Sequence, residues 1–153
     1  MLNWRVAVGA LLWLSTAAGC IQLTRIDVDN ATGGTRASAA DIAAAKKIIE
    51  VIAEDFGFVR HPREESLQQW HRTREWAQVE IVAAYINTES RGFGRTDLLL
   101  ALDREDGHLV VKISDRNAYS WSNHFVESLE KALLEALDGR FPGRHIEVDR
   151  RRW

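Results

Sequence analysis

Apolar side chains in residues 79–113 recur with the spacing that is typical of β-strands, and this feature constrains the fold more than any other. Residues 79–86, 97–103 and 109–113 each place apolar side chains at every second position, which is the spacing of a strand with a buried face. Between the last two stretches, Asp106-Gly107 tolerates the positive dihedral angles of a tight hairpin turn. The sequence therefore predicts consecutive antiparallel strands in the second half of the chain.

Two amphipathic helices are predicted to flank these strands. The first follows the cap residue Ser38, and its apolar face contains Ile42, Ala45, Ile48, Ile49, Ile52 and Phe56. The second has an apolar stripe formed by Val126, Leu129, Ala132, Leu133, Ala136 and Leu137. A last strand is predicted around Ile146 and Val148. We therefore expect an α+β domain, in which an antiparallel sheet of about four strands carries both helices on one face.

The start of the chain has a composition of its own. Arg5 is the only charged residue before Arg25, and residues 6–18 are uncharged and mostly apolar. A basic start, a short apolar run and small residues before a cleavage site are the layout of a secretory signal. The apolar run is shorter than the roughly 20 residues that span a membrane. Residues 1–19 are therefore expected to direct export.

The end of this leader, Thr16-Ala17-Ala18-Gly19-Cys20, resembles the lipobox of bacterial lipoproteins, although Ala17 stands where that family more often has Leu. The resemblance implies that signal peptidase II cuts between Gly19 and Cys20, and that Cys20 carries a diacylglycerol and further acylation (palmitate). Ile21, where an inner-membrane lipoprotein often has Asp, favours the outer membrane facing the periplasm over the inner membrane. The alternatives are an ordinary signal peptide cut nearby and an uncleaved anchor.

The chain is thus expected to have three parts, of which only the leader resembles a known family. Residues 1–19 are the signal peptide, residues 20–37 are the lipidated cysteine and a flexible tether, and residues 38–153 are an α+β periplasmic domain. The tether interpretation follows from the small and polar composition of residues 30–36. An alternative for its first part is a half-buried edge strand, because Ile26 and Val28 alternate with charged residues.

Charge and cysteine usage exclude several classes of protein. With 20 Lys and Arg residues against 22 Asp and Glu residues, the chain lacks the basic excess of a nucleic-acid-binding protein. Cys20 is the only cysteine, so no disulfide framework is possible. We therefore expect no nucleic-acid partner, and the membrane is the expected partner through the anchor at Cys20.

Aromatic and basic residues in three predicted connections are the candidate binding residues. Arginines in residues 60–76 alternate with tryptophans, a combination suited to phosphate, carboxylate or sugar recognition. The simpler alternative is that these tryptophans cover the sheet. Two further loops contain aromatic residues, although the loops of a meander need not lie at the same end of the sheet. The candidates are Trp70, Arg72, Trp76, Phe93, Tyr119 and Trp121.

The sequence contains no catalytic, metal or cofactor motif. His61 and His71 lie near Glu64 and Glu65, but their spacing matches no zinc or hydrolase pattern. We therefore expect a protein without enzymatic activity, metal or cofactor, which binds an envelope protein or an envelope polymer in a structural or assembly role. The alternatives are a small-ligand carrier and an enzyme with an unrecognised site near His61 and His71.

Overall fold

The computed structural model describes residues 22–29, 36–62, 78–87, 95–116 and 122–152. In chain order its elements are β1 (Gln22–Val28), α1 (Ala39–Asp55), β2 (Val59–Arg60), β3 (Val79–Asn87), β4 (Thr96–Asp103), β5 (Leu109–Asp115), α2 (Ser122–Arg140) and β6 (Ile146–Arg152). The strands form one antiparallel sheet in the order β2-β3-β4-β5-β1-β6. The predicted α+β class and antiparallel sheet are confirmed, whereas the expected number of about four strands was too low.

β1 corrects the interpretation of residues 20–37 as a flexible tether. Residues 22–28 lie inside the sheet between β5 and β6, and Ile26 pairs with both Val111 and Val148. Ile26 and Val28 are buried, so the strand alternative was right about the pattern but wrong about an edge position. Both partner strands come from the second half of the chain, and the local sequence therefore could not indicate an inner strand.

The start of α1 follows directly from its sequence. The Ser38 hydroxyl accepts a hydrogen bond from the Asp41 backbone N–H at 3.1 Å, and the Asp41 carboxylate accepts one from the Ser38 N–H at 3.1 Å. This reciprocal capping box satisfies two N–H groups that a helix start would leave unpaired. After the helix, Gly57 adopts a positive φ of 74°, which ends the element as predicted.

One large apolar cluster joins the helices to alternate positions of the strands. α1 contacts α2, β3 and β4, and α2 contacts β5. Because successive strand residues face opposite sides of the sheet, the strand members of this cluster define one face. Its larger fully buried members include Ile26, Ile49, Leu98, Leu100, Val111, Ile113, Leu129, Leu133 and Leu137. We call the other side, which carries Arg25, Asp27, Leu99 and Lys112, the opposite face.

The two ends of the sheet differ in the connections that leave them. At the end where β1 begins, which we call the loop end, Asp115 pairs with both Gln22 and Thr96. The Arg116 N–H also donates to the Arg95 carbonyl at 2.9 Å. The start of β4 and the end of β5 therefore both lie at the loop end. The other end, which we call the turn end, carries the β4–β5 turn.

Candidate functional site

Arg25 connects carboxylates from two strands on the opposite face. Its Nε donates to both carboxylate oxygens of Asp27 at 2.8 Å, and its Nη2 lies 2.6 Å from Asp27 Oδ1 and 3.1 Å from Asp103 Oδ2. Asp27 is on β1 and Asp103 ends β4, so the guanidinium reaches across the position of β5. A planar donor of this kind holds two carboxylates in fixed positions.

His108 joins the same group from the β4–β5 turn. Its Nε2 lies 2.6 Å from Asp27 Oδ1, and its Nδ1 contacts Asp106 Oδ1. Gly107 separates Asp106 from His108 with a φ of 75°, and the resulting turn brings the ring back beside Asp106. Ionised carboxylates only accept hydrogen bonds, so an imidazolium with two N–H donors satisfies both contacts. We call Arg25, Asp27, Asp103, Asp106 and His108 the Asp27–His108 cluster.

Direct hydrogen bonds decide the charge states of this cluster. Burial by itself would raise the pKa of Asp27, but the hydrogen bonds from Arg25 and His108 outweigh burial and lower that pKa. Burial would lower the pKa of His108, and the hydrogen bonds to Asp27 and Asp106 raise it instead. The pKa of Asp103 is lowered in the same way, against burial, by the Glu105 N–H and Arg25. The charged forms are therefore stabilised together.

A groove with an excess of acidic groups lies beside the cluster, and we call it the β1–β6 groove. It encloses about 490 Å³. Among the described residues that line it, five carboxylates face two arginines and the imidazole of His108. These groups are Asp27, Asp29, Asp106, Glu147, Asp149, Arg25, Arg151 and His108. Asp29 and Glu147 are exposed, so their charges reach a partner directly, and the groove therefore favours cationic groups.

Three groups of the cluster also have the chemistry of metal ligands. One ligand atom each from Asp103, Asp106 and His108 lie within 4.8 Å of one another. Carboxylate and imidazole ligands suit zinc and manganese. However, the imidazolium form of His108 has no free lone pair, and Arg25 places a positive charge beside Asp103. A cation would have to displace the proton of His108 and act against Arg25, so this geometry fits a charge network better than a metal centre.

A second polar group lies at the loop end of the same face. Asp97 is buried, and its Oδ2 lies 3.2 Å from Arg95 Nη2. Burial raises the pKa of Asp97, although the charges of Arg95, Arg116 and His61 lower it partly. We call Asp97, Arg95, Arg116 and His61 the Asp97 cluster. It holds a carboxyl group that takes up a proton more readily than an exposed one.

Most of the residues that the sequence singled out lie outside the described parts of the chain. This applies to Gly19 and Cys20, to His71, Glu64 and Glu65, and to the binding candidates Trp70, Arg72, Trp76, Phe93, Tyr119 and Trp121. His61 is described, and it is buried at the end of β2 in the Asp97 cluster. Arg95 and Arg116, the first described residue after residues 88–94 and the last one before residues 117–121, are joined by a backbone hydrogen bond.

The sequence analysis did not single out the Asp27–His108 cluster or the Asp97 cluster. For the first, one signal was present: Arg25 and Asp27 occupy the polar positions of a short alternating stretch, and Asp106 and His108 flank the turn glycine. The signal was weak because Asp27 and His108, which are in contact, are 81 positions apart in the chain. Only the strand order of the folded sheet brings them together.

Comparisons with known proteins yield no family. No family model, no curated protein and no solved structure matches the chain. Among the described residues, no helix is both long enough and apolar enough to cross a membrane.

Proposed function

We propose that the chain is a bacterial envelope lipoprotein, without enzymatic activity, that is anchored through Cys20 and binds a basic segment of another envelope protein. In this proposal, Gly19 and Cys20 flank the cleavage site and the outer membrane holds the anchor. The β1–β6 groove is the binding site. The excess of carboxylates along this groove is the observation that carries the binding part of the proposal.

The position of the groove supports this function, because we infer that both helices cover the same face of the sheet. The large apolar cluster contains residues of α1 and α2 together with Ile26, Val111 and Ile113 of the strands. Arg25 and Asp27 alternate with Ile26 and therefore point to the other side. The opposite face near β1 and β6 would then be available to a partner.

Two kinds of acidic group contribute differently to binding. Asp27 lines the groove and is held by Arg25, which also binds Asp103. Asp29 and Glu147 are exposed, and the side chain of Asp106 is 49% exposed. A lysine or arginine of the partner that approaches these three groups gains Coulombic attraction without having to break the Arg25 network. Attraction of this type mainly accelerates association and weakens as salt is added.

Site-specific photocrosslinking in living cells tests this proposal. A photoreactive residue replaces Gln78, which lines the groove and is exposed. The matched control replaces Lys131 on α2, which is 77% exposed and lies away from the groove. We expect a defined protein adduct from position 78 and none from position 131. The charge-reversed variant with Asp29→Lys and Glu147→Lys should lose the adduct at position 78.

Two results would contradict the proposal. One is an adduct at position 78 that persists at unchanged yield after both charges are reversed, because attraction to the carboxylates would then contribute nothing. The other is an adduct with a polymer that contains no protein, since that outcome identifies a different class of partner. Thermal unfolding of each variant must first show that it is folded like the parent chain.

A further inference from the structure

The outer edge of β6 has backbone groups that point away from the sheet. Among the described residues, β6 pairs only with β1. The His145 carbonyl accepts a hydrogen bond from the Asp29 N–H at 2.9 Å and therefore points toward β1. Because this direction alternates along an antiparallel strand, Ile146, Val148 and Arg150 point their N–H and C=O groups away from β1. Such an edge is a template for an added strand.

The two edges of the sheet differ in their suitability for a further strand. β6 has seven residues without proline, and all seven pair with β1 without a register shift. β2 at the other edge has only two residues. Proline, bulges and short length normally protect an edge, so β6 depends on the charges of its side chains for protection. Those charges therefore decide which strand can pair with it.

On the opposite face, β6 is acidic where it begins, at the turn end. Glu147 pairs with Asp27, lines the β1–β6 groove and is exposed. Within the described parts of the chain, the Glu147 carboxylate has no ion-pair partner. Asp149, two residues later, accepts a hydrogen bond from Arg151 Nε at 2.9 Å. Glu147 is therefore the carboxylate of β6 that a basic side chain can reach without displacing an existing ion pair.

On the face that carries the large apolar cluster, β6 is apolar at the same place. Ile146 and Val148 are partly buried and pack against this cluster. Apolar side chains of an added strand that lay beside them would extend the cluster. Since successive residues of a strand face opposite sides, the matching segment has a basic residue opposite Glu147 and an apolar residue on either side of it. The edge therefore selects an alternating segment.

A second copy of the chain fits this edge poorly. An antiparallel pair of β6 strands about a twofold axis places the residue on the axis opposite its own copy. An axis at Val148 places Glu147 opposite Asp149. Axes at the other central positions place like charges opposite each other directly; these positions are Glu147, Asp149, Arg150 and Arg151. Like charges directly opposite destabilise a strand pair, so a different chain with basic residues is the better occupant.

We propose that the basic segment of the partner binds as an added antiparallel strand along β6, with an apolar–basic–apolar pattern opposite Ile146, Glu147 and Val148. This inference rests on the proposed function, in which the β1–β6 groove binds a basic segment. The outward N–H and C=O groups of Ile146 and Val148 provide affinity and fix the register, and the Glu147 carboxylate selects the basic residue. Every strand pair of the described sheet is antiparallel, so this addition continues its hydrogen-bond pattern.

Isothermal titration calorimetry of the chain isolated from cell envelopes in detergent tests the strand addition. The probe is a short peptide of alternating valine and lysine with blocked ends. The valines lie opposite Ile146 and Val148, so their N–H groups face β6, whereas the lysine N–H groups point away. N-methylation of the valines should therefore weaken binding about tenfold or more, and N-methylation of the lysines should leave it nearly unchanged.

Glu147→Gln tests the contribution of charge, and Glu54→Gln is its matched control. Glu54 is also exposed, but it lies beside Tyr85 of β3, near the other edge of the sheet. Glu147→Gln should weaken binding of the unmethylated peptide by about threefold, which is the effect of one cross-strand ion pair. Glu54→Gln should bind the peptide as the parent does. An equal effect of both substitutions would contradict the role of Glu147.

Three results would overturn the strand addition. The first is no binding of the unmethylated peptide, and the second is equal binding of the two methylated peptides. The third is a dimer in sedimentation equilibrium that the peptide dissociates, because a second copy would then occupy the edge. The crosslink at position 78 reports the proposed function separately. A charge-dependent adduct together with equal binding of both methylated peptides would retain the basic partner and reject only the added strand.

Discussion

The Asp27–His108 cluster and the Asp97 cluster contain the same types of residue on the same face. The pKa of Asp27 is nevertheless lowered, whereas the pKa of Asp97 is raised. Burial disfavours the ionised form in both. Asp27 receives hydrogen bonds from Arg25 and His108, and its pKa is lowered. Asp97 is more deeply buried, its main ionic contact is with Arg95, and its pKa is raised.

The difference shows that nearby positive charge does not always offset the effect of burial on the pKa of a carboxyl group. Arg95, Arg116 and His61 all lower the pKa of Asp97, and burial still outweighs them. Within the described residues, Asp97 Oδ1 has no hydrogen-bond partner. The larger number of hydrogen bonds to the Asp27 carboxylate therefore separates a carboxyl group whose pKa is lowered from one whose pKa is raised. This distinction supports the choice of the β1–β6 groove, which contains Asp27, rather than the Asp97 cluster as the charged binding site.

The largest effect is expected from Asp27→Asn. The amide keeps the shape of the carboxylate but removes its charge and one acceptor, so Arg25 and His108 each lose a charge-assisted hydrogen bond. We expect the free energy of unfolding to fall by about 2 kcal/mol at neutral pH. Chemical denaturation monitored by circular dichroism measures this change.

Asp29→Asn is the matched control for that substitution. Asp29 is exposed and follows the end of the same strand. The control should change the free energy of unfolding by less than about 0.5 kcal/mol, as surface substitutions usually do. If the two variants were equally stable, the Asp27–His108 cluster would contribute nothing to the fold, and the contrast with Asp97 would lose its basis.

The next effect concerns the pH dependence that His108 introduces. Its folded pKa is raised above the ordinary value of 6.5, so its stabilisation is complete below 6.5 and is lost as pH rises through the folded pKa. The parent chain should therefore lose roughly 1 kcal/mol of stability over that range. His108→Gln should remove this loss, and His145→Gln should retain it. Unfolding curves across the pH range that give the same slope for both variants would contradict the assignment.

The smallest effect is expected from Asp97→Asn. The pKa of Asp97 is raised above 3.8, so the parent chain is stabilised below that value and loses this contribution as pH rises through the folded pKa. The amide cannot ionise, and the variant should gain relative to the parent as pH rises. At neutral pH, we expect a difference below about 1 kcal/mol. If Asp97→Asn lowered the free energy of unfolding as much as Asp27→Asn, the charge of Asp97 would stabilise the fold, which contradicts this expectation.

The elements with strong local signals were predictable from the sequence. The capping box of Ser38 and Asp41 fixed the start of α1, and Gly107 fixed the β4–β5 turn. β1 was not placed correctly, because its seven residues bury their apolar side chains only after β5 and β6 have paired on both sides. Such a strand carries the same local pattern as an edge strand or an extended tether.

The candidate site was less predictable than the fold, since its members come from separate strands. Arg25 links Asp27 to Asp103, and this link depends on β5 lying between their strands. The sequence instead drew attention to aromatic and basic residues in the connections, among them Trp70, Phe93 and Trp121. Local composition can identify residue types suited to binding, but it cannot indicate which strands become neighbours.

Mass spectrometry of the mature N-terminus tests the central claim of this account most directly. The account predicts that the chain isolated from cell envelopes begins at Cys20 and carries a diacylglycerol on its thiol, and that Cys20→Ser prevents both the cleavage and the modification. A mature chain that begins elsewhere, or a Cys20→Ser variant that is processed and retained in the membrane like the parent, would contradict it.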